Sequence, residues 1–165
     1  MMAYLLDANV FIQAKNLHYG FDFCRAFWDW IDERHAAGSV FSIEKVGDEL
    51  VAVDDELAEW ARQRTASFFL KPDAPVIPSL QATSAWANGA GYEPAAVTTF
   101  LQVADYYLVA HAHAHSHVVV THEVAANSTK KIKIPNACIS LGVKCMSPFA
   151  MLQAERARFV LEHAA

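Results

Sequence analysis

Four acidic side chains in this chain stand where apolar segments end or begin. Asp7 directly follows the run Ala3–Leu6 (AYLL), and Glu123 lies two residues beyond Val118–Thr121 (VVVT). Asp105 opens the segment ADYYLVAHA, and Glu49 sits in KVGDEL beside Asp48. Carboxylates gathered in one place repel one another, so such a group calls for a cation. Ligands that are all oxygen select Mg²⁺ or Mn²⁺ over Zn²⁺. A site of that kind activates water and holds a phosphate oxygen for in-line displacement, which suits phosphodiester hydrolysis. Each acid also has a plainer reading: Asp7 as a helix N-cap, Asp105 as a dipole-stabilising charge in a first helical turn, Glu49 as a solvated helix acid.

The elements around these acids decide whether they meet. AYLL is short, wholly apolar and bounded by Asp-Ala-Asn, which predicts a buried strand ending in a loop; VVVT, β-branched throughout, predicts a second. Strands buried on both faces belong to parallel sheets, where ligands bind beyond the carboxyl ends of the strands. Two such neighbours, each followed by an acid, place both acids at one sheet edge.

Helices are expected over Phe23–Ala37, with Phe23, Phe27, Trp30 and Ile31 on its apolar face, over Glu44–Ala52, and over Asp54–Phe69 with Asp54 as N-cap. Val40–Ile43 reads equally as strand or loop. Lys71–Pro78 has three prolines and reads as irregular. A weaker helix follows over Ser79–Trp86, a short one opens at Pro94, and a strong one covers Val103–Ala112. Lys130–Ile134 alternates charge and apolarity like an edge strand. Pro135-Asn136 starts a helix ending at Gly142, Val143–Met146 is a last strand, and Pro148 opens a C-terminal helix. The alternation predicts an α/β fold, a mainly parallel sheet of four to five strands flanked by helices, in a single domain over 1–165.

The 165 residues carry 13 Lys and Arg against 18 Asp and Glu, a net charge of −5, so overall charge does not draw this protein to nucleic acid. A local basic patch or a bound divalent metal reverses that locally. With 54% hydrophobic and 19% charged residues, the composition is that of a folding chain. Three cysteines, Cys24, Cys138 and Cys145, form no even set and predict a reducing compartment without disulfides. The opening MMAYLLDANVF lacks a basic leader and breaks at Asp7, so neither a signal peptide nor a membrane anchor is expected. The expectation is a soluble, cytoplasmic protein.

YLLDANVF, SIEKVGDEL, ADYYLVAHA and VVVTHE, in that order and rough spacing, resemble the four acidic motifs of the PIN-domain nucleases. The likeness spans nearly the whole chain and looks closest to a bacterial PIN-like subgroup sharing FIQAKN and KIKIPN. PIN domains of this size are commonly VapC-type toxins. The resemblance implies a PIN-like fold and a metal-dependent ribonuclease in which Asp7, Glu49, Asp105 and Glu123 gather around Mg²⁺ or Mn²⁺. Within that set Asp7, Asp105 and Glu123 are the expected metal ligands. It also implies an RNA substrate, a cognate antitoxin protein and a homodimer. Two features depart from the family pattern. Its fourth acid is often Asp, whereas Glu123 reaches further, and Asp48 competes with Glu49 for the second position, the Val-x-x-Glu-Leu spacing favouring Glu49.

In this reading Asn9 and Thr121 orient the acids or a bound water from behind, against ordinary turn and cap hydrogen bonding. Lys130, Lys131 and Lys133 form the one basic cluster and are expected to hold an RNA phosphate, or else to protect an edge strand from pairing. Gln13 or Lys15, on a short first helix, is a further substrate contact.

Other motifs carry less. His111, His113, His115 and His117 (HAHAHSH) have i, i+4 pairs that suit a metal, but the helix is expected to fray there and leave them solvated. His122-Glu123 lacks the second histidine of a zincin, Ala126 standing in its place. Trp28, Trp30, Trp60 and Trp86 read as core or interface rather than base-stacking residues. Two rival functions remain: a haloacid-dehalogenase-like phosphatase, whose second Asp is replaced here by the non-titrating Asn9, and a non-catalytic RNA- or protein-binding module on the same fold.

Overall fold

The computed structural model describes residues 2–162. Five parallel strands form one sheet in the order β3-β2-β1-β4-β5, with β1 Tyr4–Leu6, β2 Val40–Ile43, β3 Phe69–Leu70, β4 Val118–Val120 and β5 Cys145–Met146. The two wholly apolar runs occupy the centre, where both faces are covered: Leu5, Leu6, Val119 and Val120 are fully buried. Their register pairs Tyr4 with Val118 and Leu6 with Val120. The residues that follow, Asp7 and Thr121, therefore leave the sheet side by side.

Nine α-helices connect and cover the strands among the described residues: α1 Ala8–Gln13, α2 Arg25–Ala36, α3 Glu44–Val51, α4 Glu56–Arg62, α5 Val76–Gly89, α6 Pro94–Gln102, α7 Ala104–His115, α8 Ile134–Leu141 and α9 Pro148–Ala154. Helix α1 continues as one π-helical segment, Ala14–His18. The result is the α/β architecture with a parallel sheet expected from the alternating pattern, consistent with a PIN-like fold. Aromatic rings fill the core beneath α1, α2 and α4: Phe11 lies 5.5 Å from Trp60, and Trp28 lies 5.0 Å from Trp60, centre to centre. Trp28 and Trp60 are thus core residues, while Trp30 and Trp86 are half-buried against it. No helix among the described residues is long and apolar enough to cross a membrane.

Several boundaries differ from the sequence expectation, each for a local reason. The segment expected as one helix over Asp54–Phe69 is the shorter α4, followed by a turn and strand β3, which pairs with β2. Its N-cap is Asp55, whose carboxylate accepts from the Ala58 amide at 2.9 Å, and not the exposed Asp54. Val40–Ile43 is a strand. Lys71–Pro78 is irregular only as far as Pro75, because Pro78 falls in the first turn of α5, where no intrahelical amide bond is lost.

Lys130–Ile134 is not an edge strand. Thr129 to Lys131 form a bend, Ile132 and Lys133 are irregular, and Ile134 already begins α8. The place beside β4 is taken by β5. Helix α7 does not fray at Ala112 but runs on to His115, ended by Ser116 in the left-handed conformation (φ 57°). Phe23, expected on the apolar face of a helix, precedes α2 and is 69% exposed.

Candidate active site

Asp7 is the best-anchored acid. It caps α1, one carboxylate oxygen accepting from the Ala8 amide at 2.7 Å and the other from the Thr121 hydroxyl at 2.8 Å. Its own amide donates to the Val120 carbonyl at 2.9 Å, an extension of the β1–β4 ladder. The cap reading therefore holds for this carboxylate, and its second oxygen is tied to the end of β4. Thr121 Oγ1 in turn accepts from Asn9 Nδ2 at 3.2 Å and from the Glu123 amide at 3.1 Å, and Asn9 Oδ1 accepts from the His122 amide at 3.1 Å. Asn9 and Thr121 thus tie the end of β1 to the end of β4 and fix the direction in which Asp7 and Glu123 leave the sheet.

Asp7 is 5% exposed. Burial pushes its carboxyl up to about 7, with Asp105 and Glu123 adding repulsion and the Thr121 and Ala8 hydrogen bonds opposing it. Asp105, in the first turn of α7, is pushed up to about 6 by burial, then by Glu123 and Glu49, with Lys131 pulling the other way. Glu49, on the exposed rim, is raised by partial burial, with a hydrogen bond from the Ala104 amide opposing it. Asp7 and Asp105 thus both sense other acids of the set, Asp7 through Asp105 and Glu123, and Asp105 through Glu123 and Glu49. Glu123 is half-buried, and its Oε1 is buried without a hydrogen-bond partner.

Asp48 and Glu49 face different cavities. Glu49 and Asp105 line one cavity of about 450 Å³, together with Lys130 and Lys131. Asp48 faces a different hollow, between α3 and the turn after α4. Lys130 and Lys131 are exposed at the mouth of the acid cavity, whereas Lys133 lies off its wall as the N-cap residue of α8. Lys15 is also elsewhere, its ammonium 3.2 Å from Asp55 at the cap of α4.

The donor set is what a hard divalent cation prefers: carboxylate oxygens, one of them buried and unpartnered. Among the described residues, however, no group of three or more His, Cys, Asp or Glu side chains converges closely enough to hold a metal ion. The acids share an edge and repel across it without forming a finished coordination shell.

The match to known families covers the whole arrangement. Residues 4–159 correspond to the family described as Domain of unknown function (DUF4411). The chain belongs to the DUF4411 family. No curated protein and no solved structure matches it.

The DUF4411 chain also holds a residue that the sequence reading overlooked. Asn136, in the first turn of α8, donates to the Ala126 carbonyl at 2.9 Å and accepts from the Ala126 amide at 3.0 Å. It closes the loop from Ala126 to Asn136, which carries the lysines and begins three residues after Glu123. The Pro-Asn start of α8 was the available signal, but a side chain that pairs with backbone ten residues away shows no sequence period.

The histidine tract is ordered rather than solvated. His113 Nδ1 meets Ser79 Oγ at 2.8 Å, His115 Nε2 lies 2.9 Å from Asp73, and His117 Nδ1 accepts from the Ala3 amide at 3.2 Å. Burial, with His115 beside it, pulls His111 down to about 4, which keeps it neutral in the core. These contacts account for the tract as packing of α7 against α5 and β1. The three cysteines are free.

Proposed function

We propose that this chain is a metal-dependent endoribonuclease of the PIN type, hydrolysing RNA phosphodiester bonds. The carrying observation is that Asp7, Asp105 and Glu123 lie close enough at one edge of a parallel sheet to repel, with Glu49 beside Asp105 in one cavity and Asp7 and Asp105 raised to about 7 and 6, chiefly by burial. Carboxyls raised in this way, by burial and by specific charged partners beside a cleft, are functional-site candidates. Asp7, Asp105 and Glu123 are the residues to hold Mg²⁺ or Mn²⁺, with Glu49 at the rim. A divalent cation there supplies neutralising charge and a water acidic enough to attack phosphorus.

The protein's own groups do the rest. Thr121 and Asn9 hold Asp7 in one orientation. Lys130 and Lys131 offer ammonium groups to a phosphate beside the acids. Glu49, at the rim and outside the assigned ligand set, is the carboxylate left to take the proton released from the attacking water.

In this reading the biological setting is the toxin half of a toxin–antitoxin pair: cytoplasmic, homodimeric, and restrained by a cognate antitoxin protein. One observation favours the non-catalytic alternative, an RNA- or protein-binding module: the carboxylates do not form a closed coordination shell. A cleavage assay separates the two. A mixed pool of cellular RNA incubated with Mn²⁺ is expected to be cut by the wild type and spared by Asp7→Asn, Asp105→Asn and by chelator. Because the attacking oxygen comes from water and not from the ribose 2′-hydroxyl, the products should carry no 2′,3′-cyclic phosphate. Cyclic phosphate ends, or equal cutting by the two variants, would refute the proposal.

A further inference from the structure

The cavity that holds Glu49 and Asp105 has a second half that acid chemistry does not use. Its remaining wall is apolar, built from Ala95, Ala96, Phe100 and Val103 at the side of α6 and from Ile132 across the gap. Phe100 and Ile132 are 3% exposed, so this surface is the outer layer of the core and not a set of mobile side chains. The volume of about 450 Å³ falls within the ~300–1,000 Å³ typical of small-ligand sites.

From these features we propose that the cavity is a nucleobase pocket. It would take one unpaired base of the substrate strand against the α6 wall while Lys130 and Lys131 hold an adjoining phosphate and the acids face the scissile one. The inference rests on the ribonuclease reading and deepens it.

Three features support this occupant. The first is the division of the lining into an apolar side, a cationic mouth and an acidic end, which matches the three parts of a nucleotide strand: base, bridging phosphate and reacting phosphate. The second is pre-organisation. The loop bearing the lysines is pinned to α6 by the Glu93 amide, which donates to the Thr129 carbonyl at 2.9 Å, and to α8 by the two Asn136 bonds to Ala126. A wall fixed at both ends loses little freedom on binding.

The third is selectivity for small side chains. Ala95 and Ala96 open the α6 face, and Thr99, one turn on from Ala95, presents the single hydroxyl of the lining. A hydroxyl both donates and accepts, so it contacts the edge of any base and leaves shape to discriminate among them. A base stacked in a duplex cannot enter, which makes the pocket a filter for single-stranded or splayed-out nucleotides.

The test uses the four ribonucleoside 5′-monophosphates and ribose 5-phosphate as separate probes, titrated into the full chain in the presence of Mn²⁺ and followed by calorimetry. Ala95→Trp and Thr99→Trp fill the apolar half from exposed positions of α6, so both variants are expected to fold, checked by thermal unfolding. At least one nucleotide is expected to bind more tightly than ribose 5-phosphate. Either Trp variant should weaken that nucleotide roughly ten-fold or more, with Mn²⁺ and ribose 5-phosphate binding unchanged. Nucleotides that bind no better than ribose 5-phosphate, or that bind both Trp variants as well as the wild type, overturn the pocket while leaving the metal site standing. Loss of Mn²⁺ binding in the wild type itself would overturn the ribonuclease reading, and the pocket's role with it.

Discussion

Replacing Asp7 by Asn should stabilise the metal-free protein at alkaline pH. The carboxyl moves from 3.8 to about 7 on folding, a shift of roughly 3 units at about 1.4 kcal/mol each, so its ionised form costs the fold up to about 4 kcal/mol. A raised carboxyl binds its proton more tightly in the native state. The penalty is therefore complete above about pH 7 and absent below the unfolded value of 3.8. The amide of Asp7→Asn never ionises and escapes it.

The substitution has a cost as well. Asp7 accepts from both Ala8 and Thr121, and an amide has only one accepting oxygen, so one bond is lost at ~1–3 kcal/mol. The net gain at pH 8 is roughly 1–3 kcal/mol, which for a domain of this size is about 2–4 °C in Tm per kcal/mol. Thermal unfolding in chelator at pH 8 and near pH 4 measures it. The variant should melt higher than wild type at pH 8, and the order should reverse near pH 4. A variant less stable than wild type at both pH values would show that Asp7 is not a strained carboxylate, and the electrostatic argument for the site would fail.

Other perturbations report on the surrounding groups. Thr121→Val removes the hydroxyl that donates to Asp7 and accepts from Asn9 and Glu123. It should lower stability in urea by about 1–3 kcal/mol and move the Asp7 titration upward, while Thr121→Ser keeps both near wild type. Since Asp7 and Asp105 must lose protons to hold a cation, Mn²⁺ affinity should rise as pH increases from about 5.5 to 7.5, with proton uptake by buffer visible as a buffer-dependent binding enthalpy; a flat profile would contradict the assigned ligands. Asn136→Ala breaks two bonds to Ala126. It should speed hydrogen exchange of the Ala126 amide and cost ~1–2 kcal/mol of stability, with the β1–β4 ladder unaffected.

The central sheet was legible because its strands are extreme in composition. AYLL and VVVT are apolar without interruption, and nothing but a doubly covered strand suits such runs. From the two strands came the shared edge and the placing of Asp7 beside Thr121. Strand β3 was hidden because two residues carry no period, and Phe69 read as the end of the preceding helix. The alternation Lys130–Ile134 misled for the opposite reason: it has the period of a strand, but the loop closes on Asn136 and turns into α8 before any pairing occurs.

At the site, the acids and their supports Asn9 and Thr121 were legible from type and position. The exclusion of Lys133 from the cavity and the role of Asn136 were not. They depend on which side of a helix faces a neighbour distant in sequence. The histidine tract shows the same limit, since His113 is held by Ser79 of α5 and His115 by Asp73, both distant in sequence.

The most direct measurement is a calorimetric titration of Mn²⁺ into the wild type, Asp7→Asn and Asp105→Asn, each confirmed folded by its melting curve. The account predicts saturable binding to the wild type that both substitutions abolish, because the two carboxylates come from different elements and serve one cation. Binding that survives in both variants, or no binding to the folded wild type, would contradict it.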